Sequence, residues 1–136
     1  MTDPLREIWK RDPRYSLEAY QFLFDALDQA VKLTGRDKEE GAGRHVTGQE
    51  LLDGMRVHAS NLFGPLAAAV WRSWGVETTL DWGRIVFRLV DAKLLNRQED
   101  DRIEDFRDGF DFDEAFVRTY RPTLPTEIRV SPVEDD

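Results

Sequence analysis

The stretch TGQELLDGMRVHASNLFGPLAAAVWRSWGVETTLDWGRIVFRLVDAK, residues 47–93, decides the fold class of this 136-residue chain. Apolar residues recur along it at the three-and-four spacing of a buried helix face. Thr47 and Glu50 have the spacing of a capping box, and Gly64-Pro65 stops the helix that begins there. The stretch therefore predicts three helices, at 47–63, 65–74 and 79–93.

The residues before this stretch predict one more helix and a loop. Asp12 followed by Pro13 is typical of an N-cap with proline at the first helical position. The apolar spacing then continues to Thr34, and Gly35 suits the left-handed end of a helix. We predict a long first helix at 13–34 and an exposed loop at 36–45, where two glycines lie among charged residues.

Beyond Leu94 the apolar pattern becomes short and broken. LLNRQ and RIEDF are separated by a charged turn at 99–101, which predicts two strands in a hairpin. Asp111 and Glu114 repeat the capping-box spacing, so a last helix is expected at about 112–120. Prolines then interrupt residues 122–136, which we expect to be an extended or disordered acidic tail.

This order of elements predicts a mainly α, α+β fold. Three helices followed by a two-stranded hairpin is the order of a winged helix, in which the hairpin is the wing. The prediction is a winged-helix-like domain over residues 1–121, with an added N-terminal helix packed on it. Other small helical domains share the order, so it indicates this fold without being specific to it.

Four segments of the chain carry a resemblance to a known family: DPRYSLEAYQF, HVTGQELLDGMR, FGPLAAAVWRSWGVETTLDWGRIVFRLVDAKLL and DFRDGFDFDEAF. On these segments the chain resembles an uncharacterised family of small bacterial proteins typical of planctomycetes and verrucomicrobia. The resemblance spans 12–116 and implies a shared fold. It implies no activity and carries over no catalytic or binding residue, because no function is assigned to that family.

Composition excludes several classes of protein. The chain has no cysteine, so it has no disulfide framework, thiolate metal site or cysteine nucleophile. The opening MTDPLREIWK lacks the apolar run of a signal peptide, and no later stretch approaches the roughly 20 apolar residues of a membrane span. We therefore expect a cytoplasmic protein that does not enter a membrane.

The net charge of −8 is concentrated in one part of the chain. Residues 1–98 carry 14 acidic and 14 basic side chains, whereas residues 99–114 carry nine acidic and two basic ones. This second range, the acidic segment, offers a surface for a basic partner. Its carboxylates at 100–114 also leave open a small enzyme or a cation-binding protein, although the EF-hand spacing fails at Phe106.

Other signs of catalysis or of a cofactor are thin. His45 and His58 are the only histidines, and neither belongs to a zinc-binding motif. The chain also lacks the glycine-rich and nucleophile motifs of nucleotide-binding proteins and hydrolases. We expect no catalytic residue, no metal and no cofactor.

Nucleic-acid binding is one alternative that the sequence leaves open. Arg84 and Arg88 would point the same way from the predicted recognition helix and reach phosphates or guanine edges. Asp81 and Asp91 flank them, however, and the predicted wing tip is acidic. A nucleic-acid-binding or transcription-regulatory winged helix therefore ranks below protein binding.

Protein binding is the function that the sequence favours. Four tryptophans exceed what a core of this size needs, and tryptophan is enriched at interface hot spots. We predict a non-enzymatic interaction or adaptor domain whose partner surface includes Trp9, Glu99, Asp100 and Asp101. The identity of the partner and the oligomeric state do not follow from the sequence.

Overall fold

The computed structural model describes residues 3–36, 38–39, 45–99 and 101–118. Five α-helices lie in these ranges: α1 (Pro4–Arg11), α2 (Leu17–Leu33), α3 (Gly48–Phe63), α4 (Ala67–Ser73) and α5 (Thr79–Asp91). A 3-10 helix (Gly64–Leu66) joins α3 to α4, a second one (Ile103–Phe106) follows α5, and a π-helical turn (Glu114–Arg118) comes last. The described ranges contain no β-strand.

The prediction of an α+β winged helix with a β-hairpin is therefore wrong. The first predicted strand is a turn that follows α5, in which Leu94 N–H and Leu95 N–H both donate to the carbonyl of Leu89. The second is a 3-10 helix, because the Asp105 carboxylate accepts the N–H of Arg102 and turns the chain. Leu94 and Leu95 pack against the core, and the buried Phe106 packs on Gly83 of α5.

The N-terminal region forms two helices where one was predicted. Asp3 caps α1 through the N–H of Leu5, and Pro4 occupies its first turn. Asp12 does not begin a helix, since its carboxylate accepts the N–H of Arg14 and closes a turn. The predicted helix at 13–34 begins only at Leu17, whereas its predicted end at Gly35 is confirmed by a φ of 73° there.

The helices predicted from residues 47–93 are confirmed with small shifts. The Thr47 hydroxyl accepts the N–H of Glu50, whose carboxylate accepts the N–H of Thr47, so the capping box of α3 is complete. The N-cap of α5 is Thr78, although the predicted start at Thr79 makes that threonine the natural candidate. Thr79 is instead buried in the first turn, where its hydroxyl donates to the carbonyl of Phe106 and accepts the N–H of Gly109.

Aromatic side chains form the centre of the core. The ring of Trp71 lies 5.0 to 5.8 Å from those of Trp82, Phe22, Phe112 and Phe116, and Trp71 is fully buried. Helix α4 therefore lies between α2, α5 and the chain at 110–118. Helix α3 packs closely along α2, where Gly54 faces Ala30.

The last described residues are fixed to this core. The Asp111 carboxylate accepts the N–H of Glu114, which confirms the predicted cap. Arg72 forms an ion pair with Asp113 at 3.1 Å and lies over the ring of Phe112. Residues 119–136, with the predicted tail, lie outside the described residues. None of the described helices combines the length and the apolar character that crossing a membrane requires.

Candidate functional site

An apolar groove with a volume of about 710 Å³ lies beside α5. Helices α2 and α5 form two of its walls, the start of α3 a third, and the chain at 95–106 the fourth. Proteins bind small ligands and anchor side chains in clefts of this size. The groove is therefore the candidate site of the molecule.

The floor of the groove consists of apolar side chains that the fold leaves half-buried. Helix α5 contributes Val86, Phe87 and Val90, which lie beside the fully buried Ile85 and Leu89. Helix α2 contributes Phe24 and Leu27. Apolar area left in contact with water is unfavourable, so covering this floor with another apolar surface would be favourable.

His45 and Asp101 form a polar contact on one side of the groove. His45 Nε2 lies 2.9 Å from Asp101 Oδ2, and both side chains are largely buried. The same carboxylate accepts the N–H of Gln98 at 2.7 Å, while the carbonyl of Asp101 accepts a hydrogen bond from Arg97. Asp101 therefore fixes the turn at 98–101 and shapes this wall.

The remaining charged residues of the rim are mixed in sign. Asp28 pairs with Lys32 at 3.1 Å, and Asp105 is occupied by the N–H of Arg102. Arg97 lies 5.8 Å from the centre of the Phe87 ring. The rim thus carries charges of both signs, and the fourth wall includes part of the acidic segment 99–114.

A second polar cluster lies at the start of α5, centred on the buried carboxylate of Asp81. The Tyr15 hydroxyl donates to it at 2.5 Å and Arg84 donates to it at 2.7 Å. The N–H groups of Glu77 and Thr78 donate to its other oxygen at 2.8 and 3.2 Å. Every polar group in this cluster has a partner, as expected for a buried carboxylate that stabilises the fold.

The pKa values in this cluster follow from those contacts. Burial opposes ionisation of Asp81, but the hydrogen bonds from Tyr15, the Glu77 N–H and Arg84 outweigh it and lower the pKa of the carboxyl. Burial and the bond to Asp81 raise the pKa of Tyr15 to about 12. Asp81 is therefore held as a carboxylate and Tyr15 as a neutral hydroxyl, which does not suit either for proton transfer near neutral pH.

The residues predicted to bind a partner are spread over the molecule. Glu99 is exposed, Asp101 lies in the groove wall, and Asp100 lies outside the described residues. Trp9 is half-buried on α1 and does not line the groove. The structure thus brings one predicted residue, Asp101, into the candidate site.

The arginines predicted for nucleic-acid binding are engaged in ion pairs. Arg84 is bound to Asp81, and Arg88 is bound to Asp12 and to the hydroxyl of Tyr20. The guanidinium of Arg88 also lies over the Tyr15 ring, 5.1 Å from its centre. Their charges are offset within the fold, so a phosphate would have to compete with these carboxylates.

The candidate cation and histidine sites are not assembled in the described part of the chain. No group of three or more His, Asp or Glu side chains there is close enough to hold a metal ion. His58 stacks against Phe22, with 5.1 Å between the ring centres, as expected for a partly buried core histidine. The cation-binding alternative has no geometry to support it in the described residues.

The sequence does not predict most of the groove. The three-and-four spacing assigns Phe24, Leu27, Val86 and Val90 to buried helix faces, and therefore to the core. The width of the apolar surface on α5 was the available signal. Trp82, Ile85 and Leu89 form an apolar stripe along α5. Val86 and Phe87 widen this stripe to more than half of the helix circumference. A stripe that wide exceeds what one packing partner covers.

The three comparisons with known proteins place the chain in no family. No family model, no curated protein and no solved structure matches it.

Proposed function

We propose that the protein is an interaction domain that binds an apolar segment of a partner protein in the groove beside α5. The observation that supports this is the half-exposed apolar floor of Val86, Phe87 and Val90, facing Phe24 and Leu27 across the groove. Helix-in-groove and extended-peptide complexes are built on such floors, with a few apolar anchors supplying most of the affinity.

The acidic segment beside the groove supports a proposal for the chemistry of the partner. The acidic segment carries nine acidic and two basic residues and forms part of the groove wall through residues 101–106. We therefore propose a partner segment whose apolar anchors are flanked by lysine or arginine. Its basic residues would speed encounter, while its apolar residues would set the lifetime of the complex. We propose that this binding takes place in the cytoplasm.

The catalytic alternative gains no support from the groove. A nucleophile or general base needs a neighbour that activates it and a reactive group free to meet substrate. Asp101 Oδ2 instead accepts the N–H of Gln98, and no hydrogen bond joins it to His45 Nε2. Binding without catalysis is the simpler function for such a surface.

The test is a selection of displayed 16-residue random peptides against the full chain, followed by affinity measurement by fluorescence polarisation. Val90→Glu places a charge on the groove floor, and Val70→Glu makes the same change on α4, outside the groove. We expect enriched peptides to combine apolar anchors with Lys or Arg. Val90→Glu should weaken their binding at least tenfold, and Val70→Glu less than twofold.

Two outcomes would overturn the proposal. One is a selection that enriches no peptide. The other is a set of enriched peptides that bind the Val90→Glu and wild-type chains equally well, because the groove would then not be their site. Circular dichroism of both variants shows that a loss of binding is not a loss of folding.

A small apolar ligand is a second candidate for the same groove, favoured by its volume of about 710 Å³. Sites for small molecules typically measure about 300–1,000 Å³ and combine apolar walls with a few polar groups. His45 and Asp101 would be those polar groups. Saturation-transfer NMR with an apolar fragment library separates the two candidates, since fragments should bind tightly only if the groove closes around them.

A further inference from the structure

The walls of the groove restrict the backbone conformation of a segment that binds there. A peptide that binds in an extended form commonly adds a strand to the free edge of a sheet, where its N–H and C=O groups find partners. Residues 3–36, 38–39, 45–99 and 101–118 contain no β-strand, so they offer no such edge. Partners for an extended backbone would have to come from the irregular fourth wall at 95–106.

The fourth wall uses backbone groups of its own residues for internal hydrogen bonds. The N–H of Asp101 donates to the Gln98 carbonyl, and the N–H of Gln98 donates to the Asp101 carboxylate. The Asp101 carbonyl accepts a hydrogen bond from Arg97. The N–H of Asp105 donates to the Arg102 carbonyl, and the N–H of Arg102 donates to the Asp105 carboxylate.

The next two carbonyls of this wall are bonded to the helices beside it. The Asp105 carbonyl accepts a hydrogen bond from Gln49 on α3, and the Phe106 carbonyl accepts one from Thr79 on α5. An extended segment in the groove would therefore leave many of its own N–H and C=O groups without partners, which is unfavourable away from water. An α-helix pairs these groups within itself, so only its side chains need partners.

The two apolar walls are suited to packing against a helix. On α2, Phe24, Leu27 and Val31 follow the three-and-four spacing of neighbouring side chains on a helix surface. On α5, Val86 and Val90 are four residues apart and also lie in one row. A third helix packs by placing a row of its side chains into the spaces between such rows.

We propose that the partner segment binds as an amphipathic α-helix that lies between α2 and α5. This inference rests on the proposed function and names the form of its partner. The apolar anchors of the partner are spaced three and four residues apart. Lysine or arginine residues beside these anchors face the acidic segment, which has nine acidic and two basic residues.

The test uses a selected 16-residue peptide that binds the Val90→Glu chain at least tenfold less tightly than the wild-type chain, so that its site is the groove. Alanine replaces each peptide residue in turn, and fluorescence polarisation measures the affinity. We expect losses of at least tenfold to recur every three or four residues. Losses at every second residue would show an extended segment and overturn the inference, while the proposed function would stand.

Proline substitutions in the same peptide give a matched pair. Proline in the middle of the peptide, at a position where alanine has no effect, disrupts a helix without removing an anchor. Proline at the first residue is compatible with a helix. We expect the central proline to weaken binding at least tenfold and the terminal proline less than twofold. Losses below twofold for both would overturn the inference.

NMR spectroscopy of the ¹³C-labelled peptide bound to the full chain shows its conformation directly. We expect helical Cα chemical shifts over about seven or more consecutive residues, which is two turns. Shifts of an extended chain would overturn this inference alone. A selection that enriches no peptide, or whose peptides bind the Val90→Glu chain as well as wild type, would overturn the proposed function and this inference with it.

Discussion

Two regions along helix α5 differ in how their side chains are buried and hydrogen-bonded. At its start, Asp81 is buried, and its carboxylate accepts hydrogen bonds from Tyr15, Arg84 and two backbone N–H groups. Along its middle and end, Val86, Phe87 and Val90 are apolar and half-exposed in the groove. The polar cluster resembles a catalytic centre in composition but is closed, whereas the apolar groove is open.

The difference shows that a cluster of titratable side chains is a weaker guide to function than an apolar surface left exposed to water. A buried carboxylate with a full set of donors stabilises the fold and has no capacity left for a ligand. An apolar floor in contact with water gains free energy when it is covered. We therefore attribute a stabilising role to the Asp81 cluster and propose that the groove binds a partner.

The largest expected effect comes from breaking the closed region. Asp81→Ala should lower the free energy of unfolding by about 3 kcal/mol, because the Tyr15 hydroxyl and two backbone N–H groups lose their acceptor. Urea denaturation measures it. Asp53→Ala, at an exposed position on α3, should change stability little. A loss below 0.5 kcal/mol in Asp81→Ala, on the order of an ordinary surface substitution, would contradict a structural role for the cluster.

The next effect tests how α5 holds the groove wall. In Gly83→Ala the new Cβ would lie 2.8 Å from Cβ of Phe106. We expect this overpacking to lower the free energy of unfolding by about 1–3 kcal/mol. The higher helix propensity of alanine offsets roughly 1 kcal/mol of that loss. Thermal unfolding gives the sign, and a stabilised Gly83→Ala protein would show that Phe106 is not packed on α5 as described.

A smaller effect should appear in the pH dependence of stability. The pKa of Asp81 is lowered, so its contribution is complete above the ordinary value of 3.8 and is lost as the pH falls below it. The pKa of Tyr15 is raised from 10.0 to about 12, so its contribution is complete below pH 10 and is lost as the pH rises toward 12.

The controls for the acid and alkaline ranges are two variants, each of which lacks one titrating group. Urea unfolding of wild type, Asp81→Asn and Tyr15→Phe is measured from pH 2 to pH 12. The Asp81→Asn protein should lose less stability on the acid side, and Tyr15→Phe less on the alkaline side. Parallel curves for all three proteins would mean that the cluster does not titrate with folding.

The smallest effect is expected for nucleic acid. Because Arg84 and Arg88 are paired with Asp81 and Asp12, duplex DNA at physiological salt should bind no more tightly than about 10⁻⁴ to 10⁻⁶ M, the range of non-specific association. Arg84→Ala and Arg88→Ala should not change that value. Sub-micromolar, salt-sensitive binding that either substitution abolishes would move the functional surface to this face.

Local signals in the sequence predicted those parts of the fold that depend on neighbouring residues. The box of Thr47 and Glu50, the stop at Gly64 and the cap at Asp111 each involve residues within a few positions of one another. The pair Asp3-Pro4 carries the same signal as Asp12-Pro13, but only the first begins a helix. What decides between them is the docking of the chain after Asp12, where Ser16 N–H donates to the carbonyl of Trp74.

The turns found in place of the predicted wing, and the groove, depend on contacts between residues that are distant in sequence. A local sequence pattern does not show such contacts. RIEDF has the residues of a short strand, yet Phe106 folds onto Gly83 and its carbonyl accepts a hydrogen bond from Thr79. The groove exists because Val86 and Phe87 of α5 line one cleft together with side chains of α2, which is distant in sequence. Of the predicted partner residues that the structure describes, only Asp101 lies there, because the prediction relied on charge and on tryptophan and not on the width of an apolar face.

The central claim is that the groove, and not the Asp81 cluster, binds the partner. Its most direct test is amide hydrogen exchange of the full chain with and without a peptide obtained from the selection above. We expect the peptide to protect amides at 86–90 and 95–106 while exchange at 77–81 stays unchanged. Protection confined to 77–81 and to the start of α2, with none at 86–90, would contradict the claim.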